Sequence, residues 1–162
     1  MNNHSIQLRI PTAVNGAQLH RLVSECPPLD PNSIYCNLLH CSHFASTSIA
    51  AMKQDELVGF ISAYVVPERP DTLFIWQVAV SEAARGEGLA LKMLEGIVSR
   101  PSLGDVKFLE TTITKDNPGS WALFRKFART QNAELNDSVF FDKDMHFEGE
   151  HDSEHLVRIG PF

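Results

Sequence analysis

The alternation of hydrophobic and polar positions along the chain predicts four helices. Apolar residues recur at intervals of three and four positions within residues 13–25, and this helix ends before Pro27. A second helix begins near Ser33, a third covers residues 89–99, and a fourth begins at Asn117–Pro118. In the fourth helix a capping side chain precedes a proline at the first helical position, which is a strong signal for a helix start.

Segments rich in β-branched and aromatic residues predict the strands. These segments are residues 48–52, 57–66, 72–80, 106–112 and 138–141. The third, TLFIWQVAV, is almost continuously apolar, which is typical of a strand buried on both faces, and Gln77 is its only polar interior residue. The tail, residues 147–162, is predicted to be irregular. The mixed order of helices and strands indicates an α/β (α+β) fold, with residues 1–162 in a single domain around one sheet.

Composition and charge exclude some classes of protein but do not identify the function. At 162 residues the chain can bury one substantial core, and its net charge of −6 argues against a general nucleic-acid binder, because phosphate neutralisation needs clustered lysine and arginine. No window is apolar and long enough to cross a bilayer, and residues 1–5 lack the pattern of a signal peptide, so we expect a cytoplasmic protein without a membrane segment. The cysteines are expected to be free thiols; they are Cys26, Cys36 and Cys41.

The segment after the third predicted strand carries the clearest chemical signal. A loop with Gly86 and Gly88 opens the third helix, and Arg85 precedes these glycines. Glycine lets a backbone approach a ligand closely, N–H groups at a helix start attract phosphate oxygens, and arginine donates charge-assisted hydrogen bonds to pyrophosphate. Taken alone, the glycines also fit ordinary turn chemistry. A dinucleotide-binding GxGxxG motif is disfavoured because Leu91 stands at its third glycine position.

The motif Arg85-x-x-Gly88-x-Ala90 resembles the pyrophosphate loop of the GNAT acetyltransferases, and it stands where that family has it, after the central strand. The resemblance implies the GNAT fold: a central mixed, mostly antiparallel sheet that is flanked by helices and splayed between the fourth and fifth strands. It also implies acetyl-CoA as co-substrate. The residues that it assigns to the cofactor are Gln77, Val78, Val80, Arg85, Gly86, Gly88, Leu89, Ala90, Asn117, Ser120 and Phe124.

Longer blocks of sequence narrow the resemblance. Residues 28–36, 73–80, 109–113 and 155–162 are similar to the diaminobutyrate acetyltransferases of ectoine biosynthesis, and the similarity extends from near residue 8 to the end of the chain. It implies transfer of an acetyl group from acetyl-CoA to the 4-amino group of L-2,4-diaminobutyrate, by direct attack of the amine in a ternary complex, and a homodimer. Two alternatives remain open: an acetyltransferase of another small amine or amino acid, and a non-catalytic sensor that binds acetyl-CoA.

An acceptor with two ammonium groups and one carboxylate needs acidic and aromatic partners in its pocket. The substrate-binding residues expected under the resemblance are Asp30, Asn32, Ser33, Tyr35 and Trp76. Asp30 would pair with an ammonium group, and Ser33 or Tyr35 would orient it. Trp76 would form an apolar or cation–π wall. The same residues have structural explanations: turn chemistry and a helix cap at Asn32 or Ser33, and core packing for the two aromatic side chains.

Proton transfer needs further groups, because an alkylammonium with a pKa near ~10 must lose a proton before it attacks. The candidates for catalysis are Tyr35, as an acid or orienting group, and Glu110 and His155, as members of a proton path. By family analogy, the main-chain N–H of Val78 stabilises the oxyanion. Glu110 also fits a sheet-edge carboxylate, and His155 a residue that ties down the tail. Arg158 fits either an anchor for the substrate carboxylate or a surface salt bridge.

Clusters of histidine and cysteine invite a metal-site interpretation. One cluster lies in residues 36–43 and another in residues 146–155. Neither has the CxxC or HExxH spacing of a zinc site. We therefore expect packed or capping side chains on the second helix, surface histidines in the tail, and no metal.

Overall fold

The computed structural model describes residues 5–162. The expectation that residues 1–5 are not a signal peptide therefore concerns a segment of which residues 1–4 lie outside the described residues. The α-helices are α1 (Gly16–Ser24), α2 (Ile34–Cys41), α3 (Leu89–Val98) and α4 (Pro118–Thr130). The strands are β1 (Gln7–Arg9), β2 (Ile49–Lys53), β3 (Glu56–Val65), β4 (Thr72–Val80), β5 (Phe108–Ile113), β6 (Leu135–Phe141) and β7 (Glu154–Ile159). Within residues 5–162, no helix has the length and apolar character needed to cross a membrane.

The strands form one mixed sheet in the order β1-β2-β3-β4-β5-β7-β6. The pairs β1–β2, β2–β3, β5–β7 and β6–β7 are antiparallel, whereas β4 and β5 are parallel. The β4–β5 ladder runs from Thr72 opposite Phe108 to Ile75 opposite Thr111, so it uses only the first part of the nine-residue strand β4. This short ladder fits the predicted splay between the fourth and fifth strands, and the predicted fold class is confirmed.

The strand predictions need four corrections. The tail is not irregular, because β7 lies in it and pairs with both β5 and β6. Its buried residues Val157 and Ile159 alternate with less buried ones, which is the pattern of a half-buried strand. The prediction omits β1, which is short and exposed, and it starts β6 three residues late, since that strand begins at Leu135. Finally, β4 is not buried along its whole length, because Trp76 is 39% exposed.

Contacts divide the chain into two compact units, and β4 contributes to both. The first unit contains the described residues up to Tyr64 together with Trp76–Gly104. Gly59 of β3 allows a close approach of α3, since a Cβ there would lie 3.1 Å from the Cδ2 atom of Leu89. The helix α3 is therefore fixed against β3 directly after the glycine loop. A buried cluster joins α1 and α2 to the strands of this unit; it consists of Leu19, Leu22, Val23, Cys26, Cys41, Ala50, Met52, Leu57, Phe60 and Ala79.

The second unit contains Val65–Ile75 and Asp105–Phe162. The ring of Phe127, on the buried face of α4, meets that of Phe162 edge-on with centroids 5.9 Å apart. Gly160 lies against the start of β5, where a Cβ would come within 2.5 Å of the carbonyl oxygen of Lys107. The end of the chain is thus packed into this unit. The assignment of residues 1–162 to a single domain stays a prediction.

Candidate active site

The loop between β4 and α3 has the backbone conformation that its glycines predict. Gly86 (φ 82°) and Gly88 (φ 73°) lie in the left-handed region, and a Cβ at either position would meet nothing within 4 Å. The backbone conformation, rather than crowding, therefore requires these glycines. Gly88 is the N-cap of α3 and has no side chain to bind the N–H groups of the first turn. These groups and the positive end of the helix dipole form a site suited to an anionic ligand.

Arg85 is held at the end of β4. Its Nε donates a hydrogen bond to the carbonyl oxygen of Val80 at 3.1 Å, and its Nη2 lies 3.8 Å from the Sγ atom of Cys26. The buried Cys26 thiol contacts the same Val80 carbonyl oxygen at 3.5 Å. Because Arg85 is anchored through these atoms and is itself exposed, its guanidinium is accessible to a phosphate group beside the loop.

The acceptor segment, residues 30–35, is tied to β4 through Gln77. The Oε1 atom of Gln77 accepts a hydrogen bond from Nδ2 of Asn32 at 2.9 Å, and its Nε2 donates to the main-chain oxygen of Asp30 at 3.2 Å. Asn32 has a φ of 43°, in the left-handed region that asparagine tolerates better than most residues. The structure therefore brings Asp30 and Asn32, from the predicted substrate residues, into contact with Gln77, from the predicted cofactor residues.

Within the acceptor segment, Ser33 caps α2, and the side chains of Asp30 and Tyr35 are open to solvent. Ser33 is the N-cap of α2, and its Oγ accepts a hydrogen bond from the N–H of Cys36 at 3.0 Å, which confirms the capping explanation for this residue. Tyr35, in the first turn of α2, is 69% exposed, which excludes core packing. Asp30 is exposed as well. Asp30 and Tyr35 are thus available to an acceptor molecule.

Trp76 belongs to an aromatic cluster in the first unit. Its ring stacks on that of His40, with centroids 4.8 Å apart and planes inclined by 30°, and His40 meets Phe44 at 5.7 Å. Because Trp76 is 39% exposed, part of its ring surface is available to a ligand. Burial lowers the pKa of His40, and among residues 5–162 its buried Nδ1 has no hydrogen-bond partner. His40 is therefore a packed histidine, as the sequence predicts, and it supports Trp76.

Glu110 of β5 is buried in the second unit and binds two arginines. Arg69 approaches in bidentate fashion, with Nη1 2.7 Å from Oε2 and Nη2 2.8 Å from Oε1, and Nη1 of Arg158 lies 2.6 Å from Oε2. Burial opposes ionisation of this carboxyl, but the hydrogen bonds and charges of the two arginines outweigh it and lower the pKa of Glu110. Glu110 is thus an ionised carboxylate on an interior strand of the sheet, which excludes the sheet-edge explanation.

His155 of β7 lies beside a carboxylate and an aromatic ring. Its Nδ1 is 3.4 Å from Oδ2 of Asp137, close enough for charge attraction but without the geometry of a hydrogen bond. The ring of Trp121 meets it edge-on, with centroids 6.2 Å apart, and Nε1 of Trp121 donates to the carbonyl oxygen of Thr114 at 3.1 Å. Since an imidazole nitrogen can accept a proton, His155 stays a candidate for the proton path.

Asn117 begins α4 as predicted. Its Oδ1 accepts a hydrogen bond from the N–H of Ser120 at 3.2 Å, and Pro118 occupies the first turn. Phe124, on the same helix, is buried with 2% of its surface exposed. The structure thus shows a helix cap formed by Asn117 and Ser120 and a buried ring at Phe124. The assignment of these three residues to the cofactor stays a prediction.

Arg69 is not among the residues that the sequence singles out, whereas Arg158 and His40 are singled out there without the partners that the structure gives them. Arg158 stands opposite Glu110 in the β5–β7 register, and its Cζ lies 3.8 Å from the ring centroid of Phe108. This pairing is visible in the sequence only if β7 is recognised as a strand. Arg69 lies in the turn between β3 and β4, where no local pattern indicates its partner. For His40, the sequence offers one signal of an aromatic partner, which is Phe44 four positions later.

The histidines considered for a metal site have other contacts. The Nδ1 of His146 accepts a hydrogen bond from the N–H of Asp142 at 2.7 Å, and Nε2 of His151 lies 3.9 Å from Oε1 of Glu154. Within the described range 5–162, no group of three or more His, Cys, Asp or Glu side chains is arranged to hold a metal ion. The three cysteines are free, as predicted.

Comparisons with known proteins agree with this geometry. Residues 17–128 match the acetyltransferase (GNAT) family. The L-2,4-diaminobutyric acid acetyltransferase of Methylotuvimicrobium alcaliphilum is 57% identical over 97% of this chain and 91% of its own length, and that of Vibrio cholerae is 52% identical over 93% and 87%. The solved structure of the diaminobutyrate acetyltransferase EctA from Paenibacillus lautus, in complex with its substrate L-2,4-diaminobutyric acid and coenzyme A, has a TM-score of 0.93 at 35% identity, covering 98% of this chain and 96% of that one.

Proposed function

Since this chain belongs to the acetyltransferase (GNAT) family, we propose that it transfers the acetyl group of acetyl-CoA to the 4-amino group of L-2,4-diaminobutyrate, as a step of ectoine biosynthesis. The product is N4-acetyl-L-2,4-diaminobutyrate. The observation that carries the proposal is the similarity, along nearly the whole chain, to the acetyltransferase solved with this amino acid and coenzyme A. The accessible acidic and aromatic side chains of the first unit support it, because they suit a diamine.

We assign acetyl-CoA to β4 and to the loop that follows it. The main chain of Val78 and Val80 faces the pantetheine arm in this assignment, and Gln77 belongs to the same proposed set. The N–H groups at the start of α3 and the guanidinium of Arg85 hold the pyrophosphate, since both are positioned for an anion. Residues of the loop and of α4 complete the proposed set; they are Gly86, Gly88, Leu89, Ala90, Asn117, Ser120 and Phe124.

We assign the amine to the acceptor segment and Trp76. The Asp30 carboxylate pairs with one ammonium group, and the exposed face of Trp76 packs against the carbon chain or a cation. The Tyr35 hydroxyl orients the amine, and Ser33 and Asn32 hold the segment in place. The support for this assignment is that Asp30, Tyr35 and Trp76 are all exposed in the first unit.

The proposed chemistry is direct attack by the neutral amine. Of the two candidate proton acceptors, His155 is favoured over Glu110, because both Glu110 oxygens already accept hydrogen bonds from arginine and its pKa is lowered. The carboxylate of Asp137 lies 3.4 Å from Nδ1 of His155. The N–H of Val78 stabilises the negative charge that develops on the acetyl oxygen, and Tyr35 supplies a proton to the departing thiolate.

We also propose a homodimer that forms through β6. This strand ends the sheet, and Val139, Phe140 and Phe141 on it are 54%, 43% and 40% exposed. An exposed apolar edge strand is a template for pairing with another chain, so a second copy covering it would remove both the open edge and the apolar surface. The cytoplasmic location expected from the sequence stays a prediction.

The experiment that tests the function is release of the CoA thiol from acetyl-CoA with L-2,4-diaminobutyrate, with the acetyl position of the product read by NMR. Turnover that gives only the 4-acetyl product supports the proposal. Faster turnover with another amine, from a panel of polyamines and amino acids, would show that this amine is the substrate in place of L-2,4-diaminobutyrate. Binding of CoA by calorimetry without turnover of any amine would instead favour the sensor alternative.

A further inference from the structure

Gln77 is polar within an otherwise apolar strand, and both ends of its side-chain amide are engaged. Its Oε1 accepts from Nδ2 of Asn32 at 2.9 Å, and its Nε2 donates to the main-chain oxygen of Asp30 at 3.2 Å. Its main-chain N–H donates to Oγ of Ser62 on β3 at 3.2 Å. The residue is therefore fixed to the sheet by its main chain and to the acceptor segment by its side chain.

These two side-chain hydrogen bonds fix the position of the first residues of the acceptor segment relative to β4. The bond to the Asp30 oxygen fixes the main chain from which the Asp30 carboxylate extends, and the bond to Asn32 fixes the residue held at φ 43°. Between them lies Pro31, which has no N–H to contribute to a local turn. The capped start of α2 follows at Ser33. Asp30 and Asn32 are therefore both hydrogen-bonded to the sheet by the side chain of Gln77.

We propose that Gln77 is a positioning residue that aligns the acceptor segment with β4 and thereby couples binding of the amine to binding of acetyl-CoA. The inference rests on the proposed function for the identity of the two substrates. Val78 and Val80, on the same strand, carry main-chain groups assigned to acetyl-CoA, and the Gln77 side chain links this strand directly to the main chain of Asp30. The acceptor class that this arrangement serves is an amino acid with a second ammonium group, for which the Asp30 carboxylate is the ionic partner.

Steady-state kinetics of matched variants test the positioning role. Gln77→Met keeps the length of the side chain and removes both bonds, and Asn32→Gly removes one of them while permitting the left-handed backbone. We expect Gln77→Met to raise KM for L-2,4-diaminobutyrate at saturating acetyl-CoA about tenfold and, because coupling between two ligands is reciprocal, to raise KM for acetyl-CoA at saturating amine as well. The Kd for CoA in the absence of amine and the melting temperature should change little. The Gln77→Met/Asn32→Gly double variant should be no worse than Gln77→Met, since both changes remove the same contact.

Gln18 provides a matched control. Its Oε1 accepts from Nδ2 of Asn15 at 3.0 Å and its Nε2 donates to the main-chain oxygen of Asp55 at 2.8 Å, so it repeats the same pair of bonds away from the acceptor segment. Gln18→Met should leave both KM values unchanged. If Gln77→Met weakens binding of CoA in the absence of amine and lowers the melting temperature together, or leaves KM for the amine as in Gln18→Met, Gln77 is a structural residue only and the proposal fails.

Hydrogen exchange separates this inference from the proposed function, because it needs no turnover. We expect CoA to slow amide exchange in residues 30–36 of the wild-type protein and to have no such effect in Gln77→Met. Absence of a CoA effect in an active wild-type enzyme would overturn the coupling. Slowed exchange in a wild-type protein that does not acetylate L-2,4-diaminobutyrate would support the coupling and overturn only the assigned substrate.

Discussion

The imidazole of His40 stacks on the indole of Trp76, with ring centroids 4.8 Å apart. His40 is buried, with 7% of its surface exposed, whereas Trp76 is 39% exposed. The histidine therefore supports the tryptophan from the interior of the first unit, and the opposite part of the indole is open to solvent. Since Trp76 is the proposed wall for the amine, the protonation state of His40 bears on both stability and the shape of that wall.

We predict that His40 makes the protein less stable in mild acid. Burial lowers the pKa of His40 below its ordinary value of 6.5, so in the pH range just below 6.5 the unfolded chain binds a proton that the folded protein does not. The free energy of unfolding therefore falls as the pH falls through this range. The contribution of one such group is at most about 1.4 kcal/mol one pH unit below its unfolded pKa.

The measurement is urea unfolding of the wild type and His40→Phe between pH 7.5 and 5.5. His40→Phe keeps a ring against Trp76 and removes the titrating group, so its stability should vary less with pH than that of the wild type. The other histidines contribute equally to both proteins, which makes the difference in slope the informative quantity. Parallel slopes would show that His40 does not titrate abnormally.

A second prediction concerns the buried carboxylate of Glu110, whose side chain is 2% exposed. Glu110→Gln leaves the guanidinium groups of Arg69 and Arg158 facing each other without a counter-charge. Because those side chains are 45% and 33% exposed, solvent screens part of the effect, and we expect a loss of about 2 kcal/mol in the free energy of unfolding at pH 7. Urea unfolding measures this loss.

The same contribution has a defined pH dependence. The folded pKa of Glu110 is lowered from 4.5, so its stabilisation is complete above pH 4.5 and disappears as the pH falls through the lower, folded value. The difference between wild type and Glu110→Gln should therefore shrink below pH 4.5. Arg69→Gln is the matched control, since it leaves Arg158 as a partner and should cost less than Glu110→Gln. A constant difference down to pH 3 would contradict the ion-pair account.

Local chemistry explains which parts of the fold the sequence predicts well. The cap at Asn117, the proline after it, and the glycines of the loop before α3 are signals contained within a few residues, and the structure has the corresponding helix starts. The continuous apolar run of β4 likewise fixes its bounds at Thr72–Val80. The exposure of Trp76 does not follow from that run, because a continuously apolar strand predicts burial on both faces.

Contacts between distant segments account for what the sequence could not predict. The ion pair of Glu110 and Arg158 requires the β5–β7 register, and β7 is a short strand after a polar stretch with weak signal of its own. Gln77 is conspicuous in the sequence as the polar residue of an apolar strand, but its partners Asp30 and Asn32 lie more than forty positions away. The sequence therefore draws attention to Gln77, Asp30 and Asn32 but not to the hydrogen bonds between them.

A third prediction follows from the choice of His155 over Glu110 as proton acceptor. His155→Gln retains a hydrogen-bonding side chain but cannot take a proton at neutral pH, so kcat should fall about a hundredfold with little change in KM for the amine. The acidic limb of the profile of kcat against pH should disappear as well. Glu110→Gln, compared at equal folded fraction, should lose less activity. A larger loss of kcat in Glu110→Gln than in His155→Gln would assign proton acceptance to Glu110.

The fourth prediction concerns assembly through β6. The strand is exposed along almost its whole length, and the rings of Phe140 and Phe141 lie 4.2 Å apart, so its apolar surface is continuous. A lysine at Val139 would place a charge in a dimer interface there, and Val139→Lys should shift the protein from dimer to monomer in sedimentation velocity. Val14 is 84% exposed but lies in the first unit, so Val14→Lys adds the same charge elsewhere and should leave the assembly unchanged.

A wild-type protein that sediments as a monomer at micromolar concentration, or a Val139→Lys variant that remains a dimer, would exclude β6 as the interface. An enzyme that loses activity together with the dimer would show, in addition, that the paired β6 surface is needed for turnover.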